Sequence, residues 1–167
     1  MRSRPEIGCG LLLLALGVSG ARAELQVGDA LPDLDQVVWS DGTPPPLQGR
    51  VVLLDFWASW CAPCKAAFPT FANLQREYGE AGLVVIGVGV DKSASAYAQF
   101  VAKTAPPFVT LHDGDQRLVR MVRVPAMPTS YLFDRRGRLR FIHRGFYGDK
   151  TAGEMRDQIE VLLNEQE

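Results

Sequence analysis

Residues 51–69 read VVLLDFWASWCAPCKAAFP. The first seven are apolar except for Asp55, the pattern of a strand buried on both faces. Cys61 and Cys64 follow almost at once, two residues apart. Phe68, Phe71, Leu74 and Tyr78 then recur at helical spacing. A buried strand therefore runs into a helix, and both cysteines fall at the junction. This junction decides how the rest of the chain is read.

Working outward, the spacing predicts a helix over about 62–80, kinked at Pro69, which cannot donate a backbone hydrogen bond. LVVIGVGV at 83–90 is a second buried strand. A helix over 93–103 stops before Pro106 and Pro107. Residues 108–112 predict a short strand and 115–123 a short helix. TSYLFD at 129–134 and RLRFIHR at 138–144 flank DRRGR, a hairpin signal. The second of these alternates apolar residues with arginines, as an edge strand does. A helix over 152–165 closes the chain, with Met155, Ile159, Leu162 and Leu163 on one side. Strands separated by helices pair in parallel with right-handed crossovers. The expected fold class is α/β, a central mixed sheet flanked by helices.

The 167 residues suit one domain with a short appendage. Hydrophobic residues make up 47% and charged residues 22%, an ordinary globular balance. Arg2 and Arg4, the apolar run GLLLLALGV and the ARA at 21–23 form a secretory signal pattern, with cleavage expected after Ala23. The run is short for a membrane span, which needs about 20 residues. Cys9 precedes the run, so it is expected to leave with the leader, and no lipid anchor is expected. The expected division is a signal peptide at 1–23 and one domain at 24–167. Cleavage moves the net charge from −1 to −3, which argues against nucleic acid as a partner. Residues 24–50 are acidic and turn-rich, with a short strand plausible at 36–39; they are read as a cap on the core.

Export leaves two cysteines in an oxidising compartment. A structural zinc site needs four ligands, and His112 and His143 are not in a ligand pattern. A purely structural crosslink across so short a loop restrains the unfolded chain little. Redox exchange fits best. At the start of a helix, free N–H groups and the helix dipole favour a thiolate at Cys61. Cys64, nearly one turn on, is close enough to resolve a mixed disulfide.

DFWASWCAPCK closely resembles the thioredoxin active site. With VGDALPDLDQV before it and MPTSYLFDRRGRL after it, the chain resembles the exported TlpA/ResA-like thiol-disulfide oxidoreductases over nearly all of 25–165. The resemblance implies a thioredoxin-like fold with an N-terminal extension. It implies Cys61 as attacking thiol, Cys64 as resolving thiol, and no cofactor beyond their redox-active disulfide. Trp60 would shape substrate contact. Pro128, with Pro125 as a rival, would be the cis-proline facing the pair, and Met127 would offer backbone hydrogen bonds to a bound peptide. Asp55 matches the buried thioredoxin aspartate, whose burial raises its pKa and suits it to accept the Cys64 proton. The chain departs from its branch at Ala67, where many relatives carry a Glu.

The implied partners are protein disulfide substrates and a membrane thiol electron donor, with a periplasmic location and a monomer as the default. A copper-handling role is the alternative, since two thiolates hold Cu(I) and Met127 offers a third soft ligand. A peroxidase of the peroxiredoxin group would place Thr where Ala58 stands. Between Arg117 and Arg144 the chain carries eight arginines and one acid, Asp134. This stretch is either a solvated, locally balanced face or a docking patch tipped by Arg135, Arg136 and Arg138.

Overall fold

The computed structural model describes residues 24–34, 38–39 and 45–165. The expected signal peptide, and residues 36–37 of the expected first strand, lie outside these.

The elements are β1 (Val38–Trp39), β2 (Val51–Trp57), α1 (Ala62–Tyr78), β3 (Leu83–Gly89), α2 (Ala94–Thr104), β4 (Val109–His112), α3 (Arg117–Val122), β5 (Thr129–Phe133), β6 (Leu139–Arg144) and α4 (Asp149–Asn164). Among the described residues, the six strands form one sheet in the order β1-β4-β3-β2-β5-β6. β2, β3 and β4 are parallel, while β5 and β6 form an antiparallel hairpin at the edge. This is the mixed, helix-flanked sheet of a thioredoxin-like fold.

β2 lies at the centre and is buried along its whole length. That explains its continuous apolar run. Its side chains alternate between two faces. Trp57 packs edge-on against Phe68 of α1 and stacks with Tyr97 of α2. Phe68 also meets Phe100 of α2, and the Tyr78 hydroxyl donates to Glu160 of α4 at 2.6 Å. Thus α1, α2 and α4 share one face, and Asp55, two residues before Trp57, points to the same side. On the other face Phe56 packs edge-on against Tyr131. There α3 and the N-terminal segment provide cover, with Met121 and Val122 lining a cleft with Leu25 and Leu31.

Two features differ from the sequence pattern. β6 slips register between Leu132 and Phe133 of its partner, so strict alternation is lost near Arg140. α4 begins at Asp149, three residues before the expected start at 152. Asp149 sits in its first turn, where the helix dipole favours an acid.

The basic stretch is largely engaged within the fold. Arg135 donates to the carbonyls of Gly49, Ala81 and Leu163 at 2.9, 3.2 and 3.3 Å. Arg140 pairs with Asp134 and Glu165, Arg144 with Glu24, and Arg138 donates to the Gly28 carbonyl. Two of the three expected tip residues are thus occupied. The observed contacts fit the locally balanced face.

Candidate active site

Parallel strands β2 and β3 end at the same edge of the sheet, and the chain leaves β2 there through residues 58–61. The Val90 N–H donates to the Trp57 carbonyl at 2.9 Å, extending the β2–β3 pairing to this point. Cys61 N–H then donates to the Ala58 carbonyl at 3.0 Å, closing a tight turn. Cys61 is the N-cap of α1, and its Sγ accepts the Cys64 N–H at 3.2 Å. Pro63 stands in the first turn, where a missing N–H costs nothing. The two sulfurs form a disulfide, with the Cα atoms 5.3 Å apart. Cys64 is 1% exposed and Cys61 5%, so what little access there is favours Cys61. Trp60 beside it is 70% exposed.

A second anchor holds this turn. Asp91, just past β3, accepts the Ser59 N–H at 2.9 Å with one carboxylate oxygen and the Ser59 hydroxyl at 2.7 Å with the other. His112 Nε2 lies 2.8 Å from the Asp91 carbonyl oxygen, and its ring stacks on Tyr97. His112 therefore braces the edge of the site. His143 is occupied elsewhere, 2.8 Å from Gln158 on α4.

β5 enters from the same edge. The Met127–Pro128 bond is cis, while Pro125 is not. Thr129 follows Pro128 and pairs with Phe56 on β2 and Arg144 on β6. The redox turn, the Met127–Pro128 bond and the end of β6 thus gather at one edge. Pro128 is buried and Met127 half-buried.

Asp55 is fully buried and sits directly across from Ser130. The Ser130 hydroxyl donates to Oδ1 at 2.7 Å, while Oδ2 is buried with no hydrogen-bond partner. Burial pushes the Asp55 carboxyl up to about 8, against the smaller downward pull of Ser130. On the other side Asp55 faces Gly87, where an added Cβ would lie 3.0 Å from Trp57 Nε1. A carboxyl left half unpaired in a dry site is a marker of function. Among the described residues no group of three or more His, Cys, Asp or Glu is arranged to hold a metal ion.

A buried carboxyl, a redox turn at a helix start and a cis-proline at the same sheet edge can together carry out thiol-disulfide exchange. Family comparison decides the assignment, since a model described as Redoxin matches residues 26–159. The chain belongs to the Redoxin family. Within it the chain is ResA-like, a thiol-disulfide oxidoreductase of the thioredoxin superfamily. It is 32% identical over 139 residues to the thiol-disulfide oxidoreductase ResA of Oceanobacillus iheyensis, covering 79% of this chain and 72% of that one. To the ResA of Bacillus subtilis it is 31% identical over 93 residues, spanning 56% of this chain and about half (52%) of that one. A solved structure described as a thiol:disulfide interchange protein DsbE, from Chlorobium tepidum, superposes with a TM-score of 0.79 at 33% identity, covering 84% of this chain and all (100%) of its own.

Sequence reasoning overlooked Ser59, Asp91 and Ser130. The available signals were slight: a polar residue inside the redox turn, an acid closing an apolar strand, and a hydroxyl two residues after Pro128.

Proposed function

We propose that this Redoxin-family protein is an exported reductase of protein disulfides that works through Cys61 and Cys64. The carrying observation is the placement of Cys61 Sγ at the α1 N-cap, where it accepts the Cys64 N–H. The same N–H and the helix dipole favour a thiolate once the pair is reduced. Export is inferred from the leader-like residues 1–23.

In the reduced protein the Cys61 thiolate attacks one sulfur of a substrate disulfide. A bond forms between Cys61 and that sulfur, and the other substrate sulfur leaves as a thiolate. Cys64 then gives its proton to the Asp55 carboxylate and attacks Cys61 Sγ. The second substrate thiolate departs and the Cys61–Cys64 disulfide forms. Two electrons pass to the substrate, whose two thiolates take up protons. A membrane thiol donor returns two electrons to the pair, so the cycle needs no cofactor. Asp55 suits its part because it lies on the sheet face against which α1 packs. With its pKa near 8, close to that of an ordinary thiol, its ionised fraction takes up the Cys64 proton with little driving force, and that fraction grows as pH rises toward 8. Trp60, Met127 and Pro128 meet the substrate chain at the sheet edge.

The test is trapping. A reduced Cys64→Ser protein incubated with a disulfide-bonded peptide should accumulate a mixed disulfide on Cys61, identified by mass. Cys61→Ser should accumulate none. Equal trapping on Cys64 in the Cys61→Ser protein would reverse the assigned roles.

A further inference from the structure

Among the described residues, Val27, Trp60, Tyr147 and Val161 are the strongly exposed large apolar side chains. Trp60 belongs to the redox turn. Tyr147, 73% exposed, lies in the loop from β6 to α4, which opens at the same edge of the sheet. This loop is held in place. The Gly145 N–H donates to the Pro128 carbonyl at 2.8 Å, and the Tyr147 N–H donates to Thr151 Oγ1 at 3.0 Å. Gly145 and Gly148 adopt φ of 86° and 62°, which favour glycine. The Tyr147 ring folds back over Gly145: an added Cβ there would stand 3.0 Å from the Tyr147 hydroxyl and 3.2 Å from its ring carbons. The ring therefore rests beside the backbone that Pro128 holds.

β5 separates β2, which leads to Trp60, from β6, which leads to Tyr147. Two strand spacings put these approaches about 10 Å apart, with Met127 and Pro128 between them. The neighbouring Arg144 is paired with Glu24 at 2.6 Å. An aromatic ring fixed in water, with one face on a glycine and most of its surface uncovered, gains when an apolar chain covers it.

We propose that Tyr147 is a specificity-determining residue. It forms the wall opposite Trp60, covers an extended segment of the substrate lying across Pro128, and selects segments with an apolar residue next to the reacting cysteine. This rests on the disulfide exchange proposed above.

The test compares reduced wild type, Tyr147→Ala and Tyr147→Phe. The oxidants are 5,5′-dithiobis(2-nitrobenzoate), a disulfide-bonded peptide with Leu beside cysteine, and the same peptide with Ser in place of Leu. Tyr147→Ala should slow reaction with the Leu peptide about tenfold, the scale of one lost aromatic contact. Its rate with the small oxidant should stay at the wild-type level, and Tyr147→Phe should retain the Leu preference. An unchanged Leu-peptide rate, an equal loss on both peptides or an equal loss on the small oxidant would each overturn the proposal. Wild type reacting with none of the three would instead overturn the exchange function itself.

Discussion

The Ser130 hydroxyl donates to Asp55 Oδ1 at 2.7 Å across the β2–β5 pair, and the other Asp55 oxygen faces the interior with no partner. One hydrogen bond does not offset full burial, so the carboxyl holds its proton up to about pH 8. In the unfolded chain the same group ionises near 3.9. The folded state thus binds this proton more tightly. Below about pH 4 the group is protonated in both states and has no effect on stability. As pH rises toward 8, the folded protein loses stability by about 1 kcal/mol per pH unit through this group, and the loss then levels off. Asp55→Asn removes the loss. Urea unfolding from pH 4 to 9 should show the variant gaining on wild type steadily through this window. Parallel curves would contradict the assignment.

Ser130→Ala removes the one contact that pulls the Asp55 pKa down. The alkaline rise in turnover that depends on Asp55 should move to higher pH, with the fold retained. Turnover against pH for wild type, Ser130→Ala and Ser130→Thr measures this. The Thr variant keeps a hydroxyl and should restore the wild-type midpoint.

Asp91 holds the redox turn through two bonds to Ser59. Asp91→Ala leaves the Ser59 N–H without its acceptor, at a cost of about 1–3 kcal/mol. Ser59→Ala removes only the hydroxyl bond and should cost about 1 kcal/mol. Urea midpoints should follow that order. The Asp91→Ala disulfide should also be reduced faster by dithiothreitol, because its turn is less firmly held.

Arg135 ties three carbonyls from separate parts of the chain with one guanidinium. Lysine has no planar fork to reproduce this. Arg135→Lys should lower stability by about 1–3 kcal/mol, while the exposed Arg136→Ala should stay within about 0.5 kcal/mol of wild type. Thermal unfolding distinguishes the two. A neutral Arg135→Lys would argue that the basic stretch is free for a partner after all.

The central strands were legible because burial on both faces leaves a nearly continuous apolar run, as in 51–57 and 83–90. The redox junction was legible because Cys61 and Cys64 follow such a run directly. Asp55 stood out as the one charge within it. Less could be read where structure depends on pairing between distant residues. Ser130 lies 75 positions from Asp55, and nothing local says which strand will face it. Ser59 and Asp91 meet only because β2 and β3 end together. Arg135 counts in the sequence as one more surface charge, and only the packing of α4 beside the β2 and β3 entry turns brings its three carbonyls within reach. The start of α4 was hidden because Asp149, Lys150 and Thr151 carry no apolar stripe, although Thr151 caps the Tyr147 N–H.

The central claim is that Cys61 and Cys64 cycle as a reducing couple. Its most direct test is the reduction potential of the couple in residues 24–167, measured by equilibration in dithiothreitol and glutathione buffers with alkylation and mass readout. The account predicts a two-electron transition near that of thioredoxin, about −270 mV. A value near −120 mV, that of a strong oxidant, or a pair that does not cycle would contradict it.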